Sequence, residues 1–305
     1  MQRWGDSMTR KEIIMQQLQN KMNWLRDNTT YQVAILFLQG SQNYGLDEYS
    51  SDYMSDYDAK CFIVPTLEEL IENKTMISKT LVMDDGSHIE VKDIRLFSEL
   101  VKKMNPTYLE LLFTPYVLIN NKYQIYYTHQ LKKELNLIKN DIANANVIKL
   151  LKCLEGMIFS KYDHMFKETD SSQKNIEQYG YNPKDFHHLV RLAEMLNEII
   201  RLDGKVNFNS LMSLDFLTAT KKTQIKKYKT EPLDVAEAKM IANEYLRKVP
   251  QQVKKYNNEE HSINDALLNQ LDKIIDEYVF LCVRRDVVLE IKNNNNKMKG
   301  AEKRK

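Results

Sequence analysis

Cysteine is scarce in this 305-residue chain, and the three present, Cys61, Cys153 and Cys282, are scattered and odd in number. That excludes a disulfide framework, and none has the CxxC spacing of a zinc site. They read as reduced core thiols in a cytoplasmic compartment. Long hydrophobic runs are missing as well. No stretch approaches the ~18 apolar residues of a membrane span. The opening Met1-Gln2-Arg3-Trp4-Gly5-Asp6 lacks a signal peptide's apolar segment, so no membrane partner is expected. Charge of one sign hardly accumulates: 44 basic and 42 acidic side chains leave +2, which does not by itself announce a nucleic-acid binder. The imbalance sits at the end, where residues 292–305 carry six basic side chains against Glu302 and four consecutive asparagines. A disordered basic tail is expected there. No repeat of fixed period is visible.

What remains is ordinary for a globular protein, with 43% hydrophobic and 28% charged residues. The length suits one large or two modest domains. Residues 9–27 predict an amphipathic helix with Thr9 as N-cap and Ile13, Leu18, Met22 and Leu25 near one face. Strands are expected at 31–39 and 59–64, a short helix at 67–73, and a hairpin from Lys79–Met83 and His88–Lys92 around Asp84-Asp85-Gly86-Ser87. A helix from Ile94 should stop before Pro106, and 115–127 has room for a last strand and short helix. Beyond that, Val147, Leu150, Leu151, Leu154 and Ile158 recur at helical spacing, as do Leu267, Leu268, Leu271, Ile274 and Ile275. The expected organisation is α+β: a mixed sheet with flanking helices over residues 1–140, an all-helical domain over 141–291, and the tail.

Two short stretches carry chemistry. The apolar run Val33–Leu38 ends in Gly40-Ser41, where a glycine lets backbone approach a ligand and a hydroxyl can hold phosphate oxygens. The next strand begins directly after Asp56 and Asp58. Their i, i+2 spacing puts both carboxylates on one side of an extended chain, a costly arrangement unless a cation bridges them. Mg²⁺ binds through one or two carboxylates together with substrate phosphates.

Strand, Gly40-Ser41, loop, then Asp56-Tyr57-Asp58 resembles the DNA polymerase β superfamily of nucleotidyltransferases. Gly40-Ser41-Gln42-Asn43-Tyr44-Gly45-Leu46 and Ser55-Asp56-Tyr57-Asp58 are similar to a narrower group, the nucleotidyltransferases found near RNA ligases in RNA-repair gene clusters. Asp93-Ile94-Arg95-Leu96-Phe97, Asn105–Phe113 and Tyr181–Leu192 fit the same group. One departure is that 14 residues separate Ser41 from Asp56, longer than the group's usual spacing, with the excess in the acidic, Tyr-rich Asp47–Met54. The resemblance implies a palm of polymerase-β type, Mg²⁺ or Mn²⁺ as cofactor, and transfer of a nucleotidyl group from a nucleoside triphosphate (ATP among the candidates). The acceptor it implies is RNA; transfer to a protein or small molecule is the alternative, as is a catalytically silent nucleic-acid-binding module.

The resemblance also implies a third carboxylate beside the Asp pair. Glu90, between Ile89 and Val91, is the expected one, with Asp93 as the alternative unless it caps the following helix. The expected metal set is therefore Asp56, Asp58 and Glu90. On the helix beginning near Lys184, Lys184, His188 and Arg191 fall on one stripe, flanked by His187, while Phe186, Leu189, Val190, Ala193, Leu196 and Ile200 cluster opposite. Gly40, Ser41, Lys184, His188 and Arg191 are thus expected to bind nucleotide. Glu194 and Glu198 continue the same polar face, so a plain solvated face is the competing reading. Lys161 and Tyr162 read as surface and core, and Asn105-Pro106 with Tyr108 to Leu112 as a structural helix junction.

Overall fold

A computed structural model describes residues 8–47, 55–120, 125–259 and 261–302. It opens with α1 (Arg10–Asn28), closed by a reciprocal cap: the Glu12 N–H donates to Thr9 Oγ1, and the Thr9 N–H donates to the Glu12 carboxylate at 2.7 Å. Its buried stripe runs through Ile14, Leu18, Met22 and Leu25. Ile14, not Ile13, faces inward, because the spacing of four brings it in line with Leu18 and Met22.

Five strands follow: β1 (Gln32–Gln39), β2 (Asp58–Val64), β3 (Ser78–Val82), β4 (His88–Asp93) and β5 (Val117–Ile119). They form one sheet in the order β3-β4-β2-β1-β5, with β2 and β4 parallel and every other neighbouring pair antiparallel. The central strands are covered on both faces, which is why they read as unbroken apolar runs. Leu36, Leu38, Cys61 and Ile63 cluster with the α1 stripe. Phe37, Phe62 and Val64 face the helices on the other side. There Phe62 meets Phe37 and Phe97 edge-on at centroid distances of 6.0 and 5.1 Å. Between the strands lie α2 (Ser41–Tyr44), α3 (Leu67–Ile71), α4 (Leu96–Lys102) and α5 (Pro106–Phe113). Asn105 caps α5, its Oδ1 accepting the Thr107 N–H at 2.9 Å ahead of Pro106 in the first turn.

The remainder is helical: α6 (Ile125–Asn144), α7 (Val147–Met165), α8 (Gln173–Tyr179) and α9 (Pro183–Arg201), then α10 (Phe208–Ser213) and α11 (Ala219–Lys227). Two long helices, α12 (Val235–Asn257) and α13 (Asp265–Glu302), complete it. The architecture is the expected α+β arrangement, a mixed sheet followed by a helical region. The expected boundary near residue 140 falls inside α6, where a short helix had been anticipated. α13 packs on α6 and reaches back to α4. One apolar cluster accordingly runs from Ala34 to Val283 across both halves.

Residues 292–302 continue α13, where a disordered tail was expected; residues 303–305 lie outside the described part. Extending a helix already packed at Leu271 and Ile275 adds one hydrogen bond per residue without a new nucleus. Among the described residues, no helix is long and apolar enough to cross a membrane.

Candidate active site

The end of β1 and the start of β2 lie side by side, Gln39 opposite Asp58. Gly40 turns the chain between them at φ 104°, ψ −160°, a conformation side-chain-bearing residues avoid. A Cβ there would also come within 3.9 Å of Asp58 Oδ2. The turn is tied down at several points. Gln42 Nε2 donates to the Asp56 carbonyl at 2.6 Å, Asn43 Nδ2 to the Leu38 carbonyl at 3.0 Å, and Thr114 Oγ1 to Asn43 Oδ1 at 2.7 Å. The glycine-serine turn and the aspartate strand therefore form one unit rather than two adjacent motifs. Asp47, the first residue of the acidic insertion, pairs with Arg10 of α1; residues 48–54, including Tyr49 and Tyr53, lie outside the described part.

Asp56 and Asp58 stand at the rim. Asp56 keeps two thirds of its side-chain surface and has Lys184 Nζ at 3.4 Å from Oδ2. The Asp58 carboxyl is pushed up from its usual range by desolvation and then by the neighbouring Asp56 charge, only partly relieved by Lys184 and Lys21. Such a pair fits a hard divalent cation, which would relieve the repulsion. Among the described residues, no group of three or more His, Cys, Asp or Glu side chains gathers as a metal centre.

The opposite wall is built largely by α9. Asn182 caps it, accepting the Lys184 N–H, and Pro183 opens its first turn. The two walls enclose a cleft of about 220 Å³ lined by Gly40, Ser41, Asp56 and Asp58 on one side and Lys184, His187, His188 and Arg191 on the other. Seven of the eight residues expected at the site thus meet in one place. Beyond the exposed Lys184, the polar stripe of α9 is not a solvated face, however. His187 and Arg191 are 0% and 8% exposed, His187 lying against the α11 segment and Arg191 over the Tyr44 ring. His187 Nδ1 lies 2.7 Å from the Ile225 carbonyl, which assigns the ring proton to Nδ1. Burial and the nearby Lys229 depress His187 far below the usual imidazole range, and burial and His187 do the same to His188. His188 therefore lines the cleft as a neutral ring, not as the basic group its stripe implied. The positive charge comes from Lys184, Arg191, Lys161 and Lys229. Lys161 pairs with Asp185 at 2.8 Å, and Lys229 Nζ donates to the Leu46 carbonyl at 2.9 Å.

Glu90 is the expected site residue that the structure leaves out. On β4, opposite Lys60 of β2, it pairs with Lys60 and with Lys92 at 2.9 Å, and accepts from the Tyr108 hydroxyl at 3.0 Å. Partial burial works against its charge, but the two lysines prevail and hold the carboxyl below its usual range. It does not line the cleft. Its alternative, Asp93, is 3% exposed and bonded to its own helix start, accepting from the Arg95 N–H at 2.9 Å and pairing with the Arg95 guanidinium at 2.6 Å. Sequence reasoning missed Glu110, which lies beneath the turn at 2% exposure. It accepts from the Tyr44 hydroxyl, and the Gly40 N–H also supports its charge. Burial nonetheless pushes its carboxyl up to about 7. The available signal was a lone carboxylate inside the apolar run Leu109–Phe113.

Residues 14–273 match the model of the RNA repair pathway DNA polymerase beta family, RlaP. The chain belongs to this family. The matched span runs from α1 into α13 and takes in the whole sheet, the cleft and α9. RlaP membership places the α+β architecture among polymerase-β-like folds and the protein among nucleotidyltransferases of RNA repair, enzymes of a class that generally uses divalent metals. No curated protein matches the chain.

Proposed function

We propose that the protein is a divalent-metal-dependent nucleotidyltransferase that moves a nucleoside monophosphate from a nucleoside triphosphate to a hydroxyl of RNA. One observation carries this reading: a glycine-serine turn and two crowded carboxylates face four basic side chains across a single cleft. A triphosphate needs cations on both sides, and this cleft offers fixed ones on the helical wall and a place for a metal on the sheet wall.

Asp56 and Asp58 would hold the metal, which when bound polarises phosphate oxygens and lowers the pKa of an attacking hydroxyl. Glu90 is omitted from this set because Lys60 and Lys92 already neutralise it. Ser41, which lines the cleft beside Gly40, would hold phosphate oxygens at the turn. Lys184, which faces Asp56 at 3.4 Å, and Arg191 would carry the β- and γ-phosphates. His188, being neutral, offers a hydrogen bond and no charge. The acceptor oxygen forms a bond to the α-phosphorus as the α–β P–O bond breaks. Pyrophosphate departs with that electron pair, and the hydroxyl proton passes to solvent.

The test is transfer from each α-labelled ribo- and deoxyribonucleoside triphosphate, with Mg²⁺ or Mn²⁺, onto a mixed RNA pool. The expected result is labelled RNA that disappears in the Asp56→Ala/Asp58→Ala protein. Label on the protein itself would replace the RNA acceptor by a side-chain hydroxyl. No label with any donor, and no metal-dependent nucleotide binding by folded protein, would overturn the reading.

A further inference from the structure

The Gly40-Ser41 turn is tied by Gln42 to Asp56 and by Asn43 to Leu38, but those bonds leave its Tyr44 end to other contacts. Gly40 carries no side chain and sits at φ 104°, and α2 is only four residues long. Glycine reaches such a conformation freely, so its neighbours must select it. Glu110 lies in the same cleft lining as Gly40, and its carboxyl accepts from the Tyr44 hydroxyl at the end of this segment. Tyr44 is 5% exposed, and its ring carries the Arg191 guanidinium 3.9 Å from the centroid. A chain of contacts therefore leads from the turn through Glu110 and Tyr44 to α9 on the far wall. A leucine at 110 would pack in the same apolar surroundings with no desolvation penalty, but it would offer nothing to the Tyr44 hydroxyl.

We propose that Glu110 and Tyr44 are positioning residues for the nucleotide's phosphates: the Glu110 carboxyl anchors the Tyr44 end of the 40–44 segment, and the Tyr44 ring sets that segment in register with Arg191 across the cleft. Neither touches reacting atoms; both act through Ser41 and Arg191. The proposal rests on the nucleotidyltransferase reading above, and it separates affinity from folding. Removing that anchoring bond loosens the turn and weakens triphosphate binding while the sheet and helices stay as they are.

The experiment uses the full chain with Tyr44→Phe, which keeps the ring under Arg191, and Glu110→Gln, which keeps the volume but offers one acceptor oxygen in place of two. Two quantities are read in each: amide hydrogen exchange across residues 39–46, and the Kd for the magnesium complexes of the four ribonucleoside triphosphates as α,β-methylene analogues. The expected result is faster exchange confined to that segment, with Kd about tenfold weaker in each variant. Because both side chains act through one bond, the double variant should lose clearly less than the product of the two single losses. Unchanged exchange at 39–46 in folded variants overturns the proposal, and so does faster exchange with unchanged Kd. If Glu110→Gln does not fold, Tyr44→Phe alone decides. Wild-type protein that binds neither these analogues nor their deoxyribonucleoside counterparts overturns the nucleotidyltransferase reading itself, a failure told apart because it appears without any substitution.

Discussion

Asp58 and Glu90 lie on the same face of the sheet, and their surroundings are opposite. Asp58 is two residues before Lys60 on β2, and Lys60 is the register partner of Glu90. Yet the Asp58 carboxyl is raised by desolvation and by Asp56, whereas Glu90 is held down between Lys60 and Lys92. A strand carboxylate is available to a metal when its neighbours leave its charge unanswered. By that standard Asp58 qualifies and Glu90 does not, although both sit at strand positions that look alike in the sequence; Asp56 beside it meets the exposed Lys184.

The largest expected effect breaks this comparison at the Asp pair. Asp58→Ala should lower nucleotidyl transfer by about 10³-fold or more, since metal charge stabilisation amounts to several kcal/mol of barrier. Glu90→Gln should cost less than about tenfold in kcat, but it should destabilise the fold, because Lys60 at 4% exposure loses its partner. Urea unfolding checks the second half, and Lys60→Met added to Glu90→Gln should recover much of the lost stability. Equal catalytic losses at Asp58 and Glu90 would restore Glu90 to the metal set.

A second prediction concerns the buried carboxyl under the turn. The Glu110 pKa is about 7 in the folded chain against 4.5 for the free side chain, so between those values the native state binds more protons than the unfolded one. This contribution to stability is fully present below pH 4.5, is lost as pH rises to 7, and levels off above it, by up to roughly 3 kcal/mol. His187 and His188 act in the opposite sense, because their depressed values make acidification below the imidazole range unfavourable. The difference between wild type and Glu110→Gln, followed by urea unfolding from pH 5 to 8, isolates the carboxyl. Glu110→Gln should gain relative stability as pH rises; a constant difference would remove the buried charge from the account.

Smaller effects sharpen the contrast between backbone and charge. Gly40→Ala should cost about 1–3 kcal/mol through its positive φ, and it should weaken nucleotide binding by shifting the turn that carries Ser41 into the cleft. Lys184→Ala should leave stability within about 0.5 kcal/mol, since its pair with Asp56 is exposed. It should nonetheless raise the KM for triphosphate several-fold, with a weaker dependence on salt.

Local signals made much of this molecule legible. Thr9 with Glu12, Asn105 with Pro106, the turn at Gly86 and the apolar runs of β1 and β2 each state their structure within a few residues. Gly40-Ser41 and Asp56/Asp58 were legible for the same reason, being a turn chemistry and a charge spacing. Glu90 was misplaced because its partners Lys60 and Lys92 reach it from another strand and from its own strand's next outward position. Their charges say nothing until β2 and β4 are in register. Glu110 was passed over because a single acid in an apolar helix has no local explanation; its reason, Gly40 and Tyr44, lies more than sixty residues earlier.

The sequence by itself determined the α+β class, the family resemblance, the turn and the aspartate pair, since all of these depend on short-range backbone preference and residue spacing. Only the tertiary structure decided which charges count. It buried His187 and Arg191 and desolvated His188, which turned that ring from a cation into a neutral group. It answered the charge of Glu90 with two lysines and left those of Asp56 and Asp58 largely opposed. Desolvation and Coulomb interaction depend on distance in space, and the chain order does not contain that distance.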